Sequence, residues 1–322
     1  MALTKAATVY TFEQLVDAFN KQVNLDFGKI LESISSDGAA IIKEYNVDPA
    51  AQVNYPFGEF VAGLEEFTGT MSYQDATKAF NFTIDNAEYA KGYKVKSIDF
   101  ERARSLKGLN QFQDNINQLQ TRARDHSTER AMTLLIAGAA STYGTCFDGQ
   151  NLFDTTHSYT NVAGTQDNIV SGTGVTMATV QADILSAIQK FAGFYWTGTD
   201  GEMRLLNSNV TKIDIVCPPE MYSVFLQLKS GMAISSVAAN IVSGYIGNII
   251  VKKMTDLNNW FVINSNTTHK PIIVQVEKPL EFTYSDTKSE AYRKNRLMEY
   301  EVYTSKGIAY GAWWTAVSVT NA

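Results

Sequence analysis

A helix of unusual length sets the frame for everything else in this chain. From Leu106 to about Ala140, apolar side chains recur at three- and four-residue steps (Leu106, Leu109, Phe112, Ile116, Leu119, Ala123), the spacing of one helical face. About 35 residues at 1.5 Å each reach roughly 50 Å, more than an ordinary globular helix needs. The middle turns polar at Arg122, Arg124, Asp125 and His126. It becomes apolar again at Met132, Leu134, Leu135 and Ile136. Such a helix is expected to cross from one packing environment into another.

The segments around it divide by period. Residues 11–34 read as a second amphipathic helix, with Phe12, Leu15, Val16, Phe19, Val23, Phe27, Ile30, Leu31 and Ile34 on one face. Thr11 and Gln14 fit a capping box. That face must dock on its own domain or on a neighbouring subunit. Residues 79–84 and 93–100 alternate as strands around a turn at Asp85-Asn86 and predict a long two-stranded ribbon. An isolated ribbon buries too little apolar surface to persist, so it needs a partner surface, in its own chain or in another.

Past the long helix, residues 144–175 are rich in Gly, Thr, Asn and Asp and read as loop or short strands. A helix over 177–195, a strand over 212–217, a Pro218-Pro219 helix start and strands near 249–253, 260–264 and 271–277 predict a compact α/β module at about 160–285. The end reads as a hairpin: Met298, Tyr300 and Val302 alternate with Glu299 and Glu301, Ser305-Lys306-Gly307 makes the turn, and 308–319 runs back.

Charge and composition narrow the function. With a net charge of −6, a general grip on nucleic acid is not expected. Charged residues are only 19% of the chain, which suits a surface partly covered by partners. Residues 1–90 hold 5 Lys/Arg against 13 Asp/Glu, and residues 91–130 hold 9 against 5. An acidic quarter beside a basic stretch suits contact between copies, or simply solvated faces. Two cysteines, Cys146 and Cys217, are too few for a disulfide framework and read as buried apolar residues. The start has no signal-peptide pattern. Residues 230–251 lack any charge, but their Ser, Asn and Gly content argues for a buried or interface-facing segment, not a membrane span.

No catalytic pattern stands out. His157 with Asp148 and Asp154 lacks metal-ligand spacing and reads as a turn-stabilising hydrogen-bond network. Asp148-Gly149 is turn chemistry, with glycine supplying positive φ. Ser171-Gly172-Thr173-Gly174 has no following Lys-Ser or Lys-Thr and is not a phosphate loop. No enzyme activity, cofactor or metal is expected. A soluble α+β enzyme with an unrecognised site is the reading from a different class.

Three places together resemble a known family. They are the long helix running into Asp148-Gly149, Leu152-Phe153 and His157; the step Ile213-Asp214-Ile215-Val216-Cys217-Pro218-Pro219; and the closing Tyr310-Gly311-x-Trp313. Their order is similar to the major head subunit of Mu-like bacteriophages (the gpT type). The resemblance implies an α+β chain with the Hong Kong 97-type capsid fold. It makes 1–60 an N-terminal arm, 61–100 an extended loop reaching over a neighbour, and 101–159 a peripheral domain with the long helix as spine. It makes 160–285 an axial domain and 286–322 the peripheral return strands. It implies a major capsid protein of a tailed double-stranded DNA bacteriophage, assembled in the host cytoplasm into hexamers and pentamers of a virion. Decoration, scaffold and portal proteins are the further partners. A nanocompartment shell of the same fold is the alternative. Candidate intersubunit contacts are Phe80, Phe82, Tyr89 and Tyr93 on the ribbon and the basic cluster Arg102, Arg104 and Lys107 at its base.

Overall fold

A computed structural model of the chain describes residues 12–32, 36–47, 54–57, 80–102, 106–159, 165–197, 203–207, 209–234 and 239–321. The elements run α1 (Phe12–Glu32), α2 (Ser36–Ile41), β1 (Ile42–Asn46), β2 (Asn54–Phe57), β3 (Phe80–Thr83), β4 (Ala87–Lys96), α3 (Ser97–Arg102) and α4 (Leu106–Ile136). Then come β5 (Ile169–Gly172), α5 (Met177–Gly193), β6 (Tyr195–Thr197), β7 (Met203–Leu205), β8 (Ile213–Cys217), α6 (Tyr222–Lys229) and β9 (Ile246–Val251). The chain closes with β10 (Trp260–Asn264), β11 (Ile272–Tyr284), α7 (Glu290–Asn295), β12 (Leu297–Tyr310) and β13 (Ala316–Asn321). The long helix of the sequence reading is α4, and the first amphipathic helix is α1; Thr11, its expected cap, lies outside the described residues.

The chain forms two compact units. The first comprises α1, β4, α3, residues 106–127 of α4, 276–284 of β11, α7 and 297–306 of β12. Its core joins Val16, Phe19 and Val23 of α1 to Val95, Phe100, Ile116, Met298 and Tyr300. The apolar face of α1 is therefore covered within its own unit. The Phe100 ring meets those of Phe12 and Phe19 edge-on at 6.0 and 5.2 Å. Tyr300 Oη, at the bottom of this core, donates to Asn20 Oδ1 at 3.0 Å. Gln113 Nε2 donates to Asp26 Oδ2 at 2.6 Å, fixing α1 against α4 at a polar position.

The second unit holds a five-stranded sheet in the order β5-β13-β10-β8-β9. Its central strands β8 and β10 are buried at every residue, which is why both are apolar apart from Asp214 and Asn264. β8 and β9 are parallel, joined through α6, and β13 lies antiparallel to β10 and parallel to β5. Gly247 in β9 is required by a close approach: a Cβ there would sit 2.6 Å from Asp214 Oδ1. A capping box at Thr176 and Thr179 starts α5, whose Val180, Ile184, Ala187 and Phe191 are buried. Trp313 and Trp314 lie in a single 3-10 turn before β13, fully inside the core. Of residues 230–251, those described (230–234 and 239–251) divide between the cap of α6, loop and β9. No described helix is long and apolar enough to cross a membrane.

Three expectations need correction. The ribbon does not form: β3 pairs with β2 (Phe57↔Phe80, Tyr55↔Phe82), while β4 pairs over its whole length with β12, from Lys96↔Leu297 to Ala87↔Lys306. Residues 97–100, read as strand, are helical in α3. Residues 87–96, which the resemblance places within the extended loop at 61–100, lie in the sheet of order β1-β11-β12-β4. The terminal hairpin is also absent. β12 continues straight through Ser305-Lys306-Gly307, because each polar side chain finds a partner along the strand. Thr304 Oγ1 donates to Lys278 O at 2.9 Å, the Ser305 hydroxyl donates to the Glu277 carboxylate, and Lys306 Nζ donates to Ser127 Oγ at 2.9 Å. Lastly, β13 belongs to the sheet of the 160–285 module, between β5 and β10, and not to a peripheral return.

Candidate assembly surfaces

The residues singled out from the sequence separate into different environments. Phe80 and Phe82 lie on β3 in the second unit. Phe82 is half-buried and packs against that unit's core, so it is a fold residue before it is a contact residue. Phe82→Ser is expected to lower the stability of the unassembled chain by about 1–3 kcal/mol. Chemical denaturation checks this, and an unchanged midpoint would return Phe82 to the surface. Arg102 is exposed at the end of α3. Lys107 lies in the first turn of α4, and Arg104 falls outside the described residues.

Tyr89 and Tyr93 are brought together. Both sit on β4, opposite Thr304 and Tyr300 of β12. The Tyr89 ring lies 4.4 Å from the His126 ring of α4, and Tyr93 Oη accepts a hydrogen bond from Asn115 Nδ2 at 3.1 Å. Between them and α4 runs a groove of about 660 Å³, whose apolar floor includes Leu119, Ala123, Leu280 and Val302. Across β4 and β12, Lys94 Nζ pairs with Glu299 at 2.8 Å. That pair is exposed on the lysine side, where solvent screening leaves it little weight.

The Asp148–His157 segment is structural. Gly149 has φ of +81°, as the turn requires. Asp148 Oδ1 accepts from Gln150 N at 3.2 Å, and Oδ2 accepts from His157 Nδ1 at 2.8 Å and Ser158 N at 3.4 Å. His157 Nε2 faces Leu152 O at 3.2 Å, and the ring stacks on Trp313 at 4.4 Å and 7°. Asp154 caps its own turn through Thr156; that bond holds its carboxyl below the usual range. Among the described residues, no three His, Cys, Asp or Glu side chains converge to hold a metal. Burial pushes the Cys217 thiol up to about 12 and the Cys146 thiol well above its ordinary value, with Asp148 and Asp154 adding to the latter. Neither supplies a thiolate nucleophile at neutral pH.

One network went unseen in the sequence. Asn168 Nδ2 donates to Leu152 O, Trp313 O and Ala316 O at 2.7, 3.2 and 3.2 Å, and Oδ1 accepts from Asp154 N at 2.9 Å. Asn207 Nδ2 holds Phe191 O and Trp314 O at 3.2 and 2.7 Å, and Oδ1 accepts from Asn264 Nδ2 at 3.1 Å. These amides satisfy the backbone of the tryptophan turn inside the core. Asparagine beside apolar strand residues is the only sequence signal for them, and it reads equally well as a loop.

No described residue cluster has the geometry of a reaction centre. What the fold offers is long elements, grooves and sheet edges. It is similar to the procapsid of bacteriophage JBD30 (16% identity, 95% of this chain and 75% of that one, TM-score 0.53). It is also similar to the capsid of cyanophage P-SCSP1u (12%, 90% and 88%, 0.54) and to a virus-like particle from Pyrococcus furiosus (13%, 93% and 98%, 0.51). These likenesses define the fold: that of the Hong Kong 97-type capsid structures. Residues 16–185, more than half of the sequence, match the family model of the Mu-like prophage major head subunit gpT, and the chain belongs to that family. It is a major capsid protein. No curated protein matches it in sequence.

Proposed function

We propose that copies of this chain assemble as hexamers and pentamers into the icosahedral shell of a tailed bacteriophage, enclosing double-stranded DNA. The family match over residues 16–185 carries this reading. The chain works by packing, and no catalytic step is assigned to it. Weak contacts repeated by symmetry close the shell, so no single interface needs to be strong. The net charge of −6 suits a container that leaves its genome free to move during packaging. In this reading the module at 160–285, completed by β13, meets its copies around the symmetry axes. Decoration, scaffold and portal proteins are further partners. The shell assembles in the host cytoplasm and becomes part of the virion.

Electron microscopy of the purified chain tests the proposal: closed shells or capsomers are expected. A uniform monomer by light scattering at every concentration would overturn it. The fold likeness to the Pyrococcus furiosus particle favours a second reading, a cellular compartment built from the same subunit type. Particle content separates the two. Nuclease-protected DNA in particles from phage-producing cells supports the head, and a defined protein cargo supports the compartment.

A further inference from the structure

The β8–α6–β9 crossover carries a surface that no described residue of the unit covers. β9 is an edge strand of the five-stranded sheet. Natural edge strands are usually blunted by lysine, proline or inward charges. β9 (Ile246-Gly247-Asn248-Ile249-Ile250-Val251) has none of these, and the whole run from Ser230 to Val251 is free of charge. The helix beside it is open as well. Tyr222 and Leu226 lie one turn apart on α6 and are exposed, as are Met232, Ile241 and Tyr245 in the segment between α6 and β9 and Val251 at the end of β9. All six are 36–58% exposed. Two observations tie the strip together. Lys229 Nζ at the end of α6 donates to Gly247 O in β9, and Asn240 Nδ2 donates to Leu228 O and Met232 O at 2.6 and 3.2 Å. A contiguous apolar patch of this kind is rare on a free-standing protein.

The charges at its border are mainly positive. A polar cleft of about 490 Å³ at the Lys229 end is lined by Lys212, Lys229, Asn248, Ser265 and Asn266. Asp214 also lines it, but it is buried and its Oδ1 is occupied by Asn248 N at 2.6 Å. Lys252 and Lys253 follow β9 at the other end, and Glu220 is the one exposed acid on the crossover itself. A charge-free apolar strip with a basic rim is thus set in a chain whose net charge is −6. The partner it fits is apolar and acidic, and another copy of this acidic chain meets that description.

We propose that the outer edge of the β8–α6–β9 crossover is a copy-to-copy contact, in which a second subunit covers Tyr222, Leu226 and the β9 edge and places a carboxylate in the Lys212–Lys229 cleft. This rests on the shell-subunit reading above and names one of its surfaces. Six half-exposed side chains offer a few hundred Å², short of the roughly 800 Å² per partner in a stable isolated dimer. The contact therefore holds in a closed ring or shell and not in a lone pair.

The test uses the full chain and reads the concentration at which half of it assembles, by light scattering and electron microscopy. Melting is followed separately, below that concentration. Leu226→Glu is expected to raise the half-assembly concentration at least tenfold with melting unchanged, since it sets an unpaired charge in the contact. Lys212→Glu is expected to raise it several-fold and to flatten its dependence on salt. Assembly of Leu226→Glu at the wild-type concentration would overturn the proposal and leave the shell reading intact. If Leu226→Glu melts early, a photo-crosslinking residue at Tyr222 decides instead. Adducts between chains, formed only above the assembly threshold, support the contact; adducts confined to one chain overturn it. A wild-type chain that never oligomerises removes the shell reading and this surface with it.

Discussion

Replacing Asp148 by alanine is expected to destabilise the unassembled chain by about 3–5 kcal/mol, since several donors held by its carboxylate lose their acceptor at once. The side chains of Asp148 and His157 are both fully buried. The two His157 ring nitrogens face oxygens, Asp148 Oδ2 and Leu152 O, which only accept. His157 Nδ1 donates to the Asp148 carboxylate, and the ring lies flat against the Trp313 face. Without the carboxylate, a buried ring nitrogen loses its hydrogen-bond partner. The Asp148 bonds to Gln150 N and Ser158 N are lost with it. Asp148→Asn keeps an acceptor at the same place and is expected to cost less, about 1–2 kcal/mol. Denaturant titration of both variants checks the order. An alanine variant within about 0.5 kcal/mol of wild type, the range of an indifferent surface change, would mean the pair does not hold this segment.

Between about pH 9 and pH 12 the folded chain is expected to lose stability steeply. Burial pushes the Cys217 thiol from 9.0 to about 12 and the Tyr159 hydroxyl from 10.0 to about 12. Cys146, Tyr300 and Tyr310 are raised for the same reason. These are acids whose folded-state values lie above their unfolded ones. The unfolded chain releases their protons first, so it is favoured as pH climbs from the unfolded value towards the folded one. Denaturation midpoints at rising pH, read beside tyrosinate absorbance, test this. Cys217→Ala should flatten the decline that begins near pH 9. Ionisation of every tyrosine near pH 10 in the still-folded chain would refute the account.

What the sequence disclosed was periodic and local. α4, α1 and α5 were legible because their apolar stripes recur at helical spacing, and β8 with its proline-started α6 because an apolar run meets a fixed turn. Their ends moved by a few residues; α4 stops at Ile136, short of Ala140. The Asp148–Gly149 turn was legible because its chemistry is short-range. Strand partners were not. Alternation at 79–84 and 93–100 says that each strand has two unlike faces; it does not say that β3 will pair with β2 and β4 with β12. Ser305-Lys306-Gly307 has the composition of a turn, and only the distant Lys278, Glu277 and Ser127 explain why it stays extended. Among the candidate contacts, Tyr89 and Tyr93 share a groove because α4 happens to pass opposite β4. The exposed strip on α6 and β9 had a faint sequence trace in the uncharged run from Ser230 to Val251.

The position of β13 has a bearing on the order of events during synthesis. It fills the gap between β5 and β10, strands that leave the ribosome well before it. Translation delivers about 5–20 residues per second, so those two edges wait several seconds for residues 316–321 to emerge. Until then the nascent polypeptide keeps Trp313, Trp314 and the sheet interior unsealed and is a natural client for chaperones. An interrupted translation product lacks the keystone strand altogether. Such a fragment is expected to leave the β5 and β10 edges unpaired and to fail to fold as the whole chain does.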